Sequence, residues 1–157
     1  MFCIFLKLCY DGIMETKFRI MCLDYGTVRI GIALSDLTQT LASGYATYTC
    51  KSYKQDVEYL KKVISENDVK KIVFGLPLNM DGTESSQTLK TKNFANILRQ
   101  NLDESIEIVF ADERMTSLIA EKMLLSADVS RQKRKMVIDK VSATIILQDY
   151  LDYKRSI

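Results

Sequence analysis

Histidine is absent from the 157 residues, and this excludes more chemistry than any other count. It removes Ser-His-Asp and Cys-His nucleophiles, histidine zinc ligands and any imidazole general base. Tryptophan is also missing, which disfavours lectin-like stacking sites. One proline and six glycines argue against a disordered, collagen-like or linker-rich chain. No apolar run approaches the roughly 18 residues of a membrane span. Residues 2–9 (FCIFLKLC) are interrupted by Lys7 and lack a basic stretch ahead of them, so they are neither a span nor a secretory signal. The four cysteines (Cys3, Cys9, Cys22, Cys50) form no C-x-x-C pair, so reduced thiols and a cytoplasmic location are expected. A net charge of +2 excludes a bulk polycation and leaves only a local patch for any nucleic acid.

What is present is ordinary for a globular protein: 47% apolar and 27% charged residues, in a length that suits one domain. The domain is expected to span residues 18–157. Residues 1–17 read as an N-terminal extension, with Met14 the more natural start. Residues 18–25 (FRIMCLDY), 30–36 (IGIALSD) and 45–50 (YATYTC) read as three strands, the first two close enough to form an antiparallel hairpin. Ser52 opens a helix with a capping-box spacing to Gln55, and Val57, Leu60, Val63 and Ile64 fall on one stripe of it. A strand (KIVFGLPL, 71–78), a loop (79–86), a helix through about Leu102 and a fifth strand (IEIVFAD, 106–112) follow. Thr116 or Ser117 can cap a helix carrying Ile119, Ala120, Met123 and Leu124. The basic stretch 128–135 reads as a loop before a last helix over about Met136 to Tyr153. The order βββαβαβαα predicts an α/β fold: a five-stranded mixed sheet flanked by helices. Its first three strands are antiparallel, and its first, fourth and fifth parallel.

In such sheets, ligands bind beyond the carboxyl ends of the parallel strands. Asp24, the tract Gly75–Asn79, and Asp112-Glu113-Arg114 all fall there, and Asp139 on the last helix offers a further carboxylate. Carboxylates at neighbouring strand ends repel, and an oxygen-only set calls for Mg²⁺ or Mn²⁺ rather than zinc. Two such ions can activate water and stabilise a leaving oxygen in phosphodiester hydrolysis without histidine. Each residue also has a plainer reading: Asp24 as a turn former, Glu113 as a surface charge paired with Arg114, Asp139 as a first-turn carboxylate favoured by the helix dipole. Gly26 serves a turn and Gly31 close strand packing. Arg131, Lys133, Arg134 and Lys135 are a solvated loop or a phosphate grip.

Taken together, LDYGTVRIGIALSD (23–36), VFGLPLNMDGTESSQT (73–88), ADERMTSLIAEKML (111–124) and DKVSATIILQDYLD (139–152) resemble the four blocks of the YqgF family, also called RuvX. The resemblance covers residues 19–153 in the family's order. It implies a ribonuclease H-like fold and a cytoplasmic, metal-dependent nuclease that matures the 5′ end of pre-16S ribosomal RNA. Carried across by motif, Asp24, Glu113 and Asp139 become the catalytic metal ligands, with Asp112 a competitor for the place of Glu113. Arg29, Asn79, Arg114 and Lys140 become phosphate-binding residues. Two departures stand out: the fourth strand, IVFGLPLN, carries no acid, and Val28 replaces a lysine common in the family. The implied partner is nucleic acid (pre-rRNA or branched DNA) and no membrane, with a monomer or homodimer at work. Holliday junction resolution is the enzymatic rival, and a non-catalytic nucleic-acid or ribosome-binding module is the plainer one. The D-x-G-T of Asp24–Thr27 also occurs in actin-like ATPases, but the second lobe such proteins need is not found here.

Overall fold

The computed structural model describes residues 17–112 and 131–156, the last helix by its backbone alone over residues 131–136. Residues 1–17, apart from Lys17, the Asp-Glu-Arg residues Glu113 and Arg114, and the helix expected after Thr116 lie outside the described residues. Five strands form one sheet in the order β3-β2-β1-β4-β5. They are β1 (Arg19–Tyr25), β2 (Arg29–Ser35), β3 (Ala42–Thr49), β4 (Val69–Leu76) and β5 (Glu107–Asp112). The pairs β1–β2 and β2–β3 are antiparallel, and β1–β4 and β4–β5 parallel. The helices are α1 (Tyr53–Glu66), α2 (Ser86–Gln100) and α3 (Arg131–Ser156).

Strand alternation divides the core. Met21, Leu23 and Tyr25 face one side with Ile30, Ile32 and Phe74, and there they meet Val57, Leu60 and Phe94 of α1 and α2. Ile20, Cys22, Ala33 and Val73 face the other side and meet Ala143, Ile146, Leu147 and Leu151 of α3. The α1 stripe is buried as its spacing predicts, and Ser52 caps the helix by accepting from the Gln55 amide. Ser85 caps α2 in a full capping box with Thr88, a threonine variant of the usual Ser-x-x-Glu pattern.

Two expectations need correction. The basic residues 131–135 are not a loop: α3 begins at Arg131. Asp139 therefore lies two turns inside the helix, where the dipole of the first turn no longer explains it. The third strand also starts three residues before the aromatic run, at Ala42, because past a register shift beside Ile32–Ala33 the ladder continues through Ala33–Gly44, Leu34–Ser43 and Ser35–Ala42.

The seat of α3 is made of small residues. A β-carbon on Gly31 would overlap the main-chain carbonyl oxygen of Asp139, so only glycine lets the helix backbone rest on β2. On β3, a β-carbon on Gly44 would come 2.7 Å from Cγ of Lys140. Gly31 was expected to serve strand packing; the close partner is a helix.

Candidate active site

β1 carries Asp24 one residue from its carboxyl end, on the face of Ile20 and Cys22 that α3 covers. Its partner across the antiparallel pair is Gly31. On the other flank, continuation of the Leu23–Phe74 register puts Gly75 level with it, and Gly75 in turn pairs with Ala111. Asp24 thus stands alone as an acid in a row of small neighbours. The missing acid of the fourth strand is this glycine.

Above Gly31 sits Asp139, so the helix seat delivers a second carboxylate beside the first. Burial pushes the Asp24 carboxyl up to about 7, and the charge of Asp139 adds to the rise. Arg29, on the same face of β2, donates from Nε to Oδ2 of Asp139 at 2.6 Å, both side chains partly exposed. The expected phosphate contact Arg29 is thus already engaged with a carboxylate through one of its five N–H donors.

The remaining candidates separate. Asn79 follows β4 at the same end of the sheet, exposed, but its side-chain amide donates to Thr83 Oγ1 at 2.8 Å and closes its own loop. Lys140 lays its stem over Gly44 on the edge strand, two residues along β2 from the Asp24–Gly31 pair by the Ala33–Gly44 register. Asp112 pairs with Leu76, and its alternation matches Ile108 and Phe110, putting it on the face opposite Asp24. Among the described residues no third acid joins Asp24 and Asp139 in a metal-binding cluster. The pair itself suits a hard divalent cation: two oxygen donors, one of them poorly ionised without a cation, and no competing nitrogen or sulfur ligand.

A cavity of roughly 600 Å³ opens at the other end of the molecule, between Lys61, Ile64, Lys70 and Asp103 at the amino ends of β4 and β5. It lies away from Asp24, Arg29 and Asp139, so the converging carboxylates rather than the cavity mark the site.

The family model described as "RuvX: Holliday junction resolvase" matches residues 18–153. The chain belongs to the RuvX family. Among its RuvX relatives, one from Halothermothrix orenii is 44% identical over 139 residues, covering 88% of this chain and 98% of that one. Another, from Clostridioides difficile, is 48% identical over 136 residues, covering 87% and 95%. Both bear the name "Putative pre-16S rRNA nuclease". Among solved structures, RuvC of Thermus thermophilus with a Holliday junction substrate aligns at TM-score 0.56 and 7% identity, over 88% of this chain and 96% of that one. The Fowlpox virus resolvase with Holliday junction DNA aligns at 0.55 and 10%, over 87% and 99%. At these identities the likeness is one of fold: the RuvX chain has the ribonuclease H-like sheet with its helices. No helix among the described residues is long and apolar enough to cross a membrane.

Proposed function

We propose that this protein is a metal-dependent nuclease that hydrolyses phosphodiester bonds, acting in the cytoplasm on the 5′ end of pre-16S rRNA. The observation that carries the reading is the convergence of Asp24 and Asp139 at the carboxyl end of β1 over Gly31. Membership of a family whose relatives bear a nuclease name supports it.

Asp24 and Asp139 would hold Mg²⁺ or Mn²⁺. Bound there, the cation supplies Lewis acidity that lowers the pKa of water and stabilises the leaving oxygen. The third carboxylate is assigned by the family motif to Glu113, since Asp112 belongs to the face of the sheet opposite Asp24. Arg29 holds the Asp139 carboxylate in one orientation and offers its terminal N–H donors to a phosphate oxygen. Arg114, Asn79 and Lys140 are assigned to substrate grip, the last two at the rim.

Cleavage of a labelled pre-16S 5′-leader RNA with Mn²⁺ tests the reading, comparing wild type with Asp24→Asn and Asp139→Asn. Each substitution is expected to lower the rate at least about 100-fold. Equal rates would place the activity elsewhere. The family description and the resolvase-like fold favour a second substrate, branched DNA. Paired, symmetric cuts require a two-fold dimer, so a monomeric mass in solution rules that substrate out and a dimer keeps it.

A further inference from the structure

Asp24 and Tyr25 are successive residues, and alternation turns Tyr25 to the opposite face of the sheet from the carboxylates. There it stacks on Phe94 of α2, ring centroids 4.4 Å apart and 11° from parallel. Tyr53, at the first position of α1, leans on the same Phe94 at 6.2 Å but leaves 53% of its surface exposed. Tyr25 and Tyr53 line a groove of roughly 480 Å³ whose other walls include Thr27, Lys51 and Lys90. The volume lies in the range of small-ligand sites, about 300–1,000 Å³.

The groove has a net excess of available positive charge. Lys51 and Lys90 are exposed and have no ion-pair partner among the described residues. The one acid lining the groove, Asp56, is buried and accepts from the Lys51 amide at 2.9 Å and from the Tyr48 hydroxyl. An exposed ring beside two lysines that are unpaired among the described residues matches the π-face and phosphate of an unstacked nucleotide. The Gly26–Val28 turn at the tip of β1 puts Thr27 in the groove wall, and Arg29 directly after it bonds Asp139 on the carboxylate side.

We propose that this groove binds one unstacked nucleotide of a single-stranded segment of the substrate, its base against Tyr53 and its phosphate between Lys51 and Lys90. The assignment rests on the nuclease reading above, and it makes unpaired nucleic acid beside the cleaved bond the preferred substrate.

The test is binding of a fluorescently labelled single-stranded oligoribonucleotide to the full chain in EDTA, over a salt series, for wild type, Tyr53→Ala, Tyr53→Phe and the pair Lys51→Gln with Lys90→Gln. Tyr53→Ala is expected to weaken binding about tenfold and Tyr53→Phe to restore it, since only the π-face is needed. The double lysine variant, on exposed side chains, is expected to flatten the salt slope by about 0.7 per lost phosphate contact. A duplex of the same sequence should bind all variants alike. Single-strand affinity and salt slope unchanged in every variant would overturn the groove, as would an equal loss for duplex. Wild-type cleavage in Mn²⁺ is read separately. Binding changes as expected without any cleavage would leave the groove standing and sink the nuclease reading, whereas cleavage with unchanged binding would do the reverse.

Discussion

Asp24 is held in a place that opposes its charge. Its pKa rises from 3.8 to about 7, first through burial and then through Asp139. A carboxyl raised on folding contributes stability below its unfolded pKa, and that contribution is lost as the pH climbs towards the folded value. In EDTA, wild type should therefore lose thermal stability between about pH 4 and 7 more steeply than Asp24→Asn, which has no proton to lose. The variant should have the higher Tm at pH 8, as calorimetry would measure, and parallel pH profiles would contradict the burial argument. Asp36 works in the opposite sense. Its carboxylate accepts from the amides of Thr40 and Leu41 and from the hydroxyls of Thr38 and Thr40, which holds its pKa well below the usual carboxylate range. Its contribution is present above about pH 4 and disappears as the pH falls through the lowered value. Asp36→Ala should thus lower the Tm at pH 7, and the gap should narrow progressively in acid.

Among the elements, α3 decides whether the carboxylates meet. Gly31→Ala sets a methyl against the main chain of Asp139, which cannot move without the helix. Overpacking of this kind costs about 1–3 kcal/mol, and here it also displaces Asp139, so urea melts and cleavage should both report the change. Gly44→Ala meets the flexible stem of Lys140 instead, and should cost less than about 1 kcal/mol with cleavage nearly kept. Equal effects would mean that helix position does not matter. The pairing of Gly31 with Asp139 was not legible in the sequence, because residues 108 apart leave no mark on local periodicity. The strands, the α1 stripe and its Ser52 cap were legible, because alternation, 3.6-residue spacing and capping chemistry are local. The start of α3 was not legible, because Arg, Gln and Lys suit a loop and a helix alike.

For the whole molecule, strand order and the antiparallel-then-parallel pairing followed from the succession of elements, since a hairpin and two crossovers leave few arrangements. Of the candidate site, the two acids and Arg29 came together. Lys140 did not, because helical geometry turns it towards β3, one residue on from Asp139. The Tyr53 groove was not legible in the sequence, because its walls come from three segments far apart in the chain, around Tyr25, Tyr53 and Lys90. Net charge is only +2, yet four cations fall within residues 131–135, in the opening turns of α3, whose first turn holds no acidic residue. Cations at a helix amino end oppose its dipole, so their replacement by alanine should leave the Tm unchanged or raised. The same replacement should flatten the salt dependence of nucleic-acid binding by up to about 0.9 per lost phosphate contact, and an unchanged slope would remove this turn from the substrate site. The main-chain seat of α3 on Gly31 also has a bearing on time. Side chains swing in nanoseconds, but a helix backbone lying on a sheet leaves only by cooperative opening. The amides of the middle turns of α3 and of central β1 and β2 should then exchange with deuterium as one unit, with a common opening free energy. Asp24 and Asp139 part company only when that unit opens.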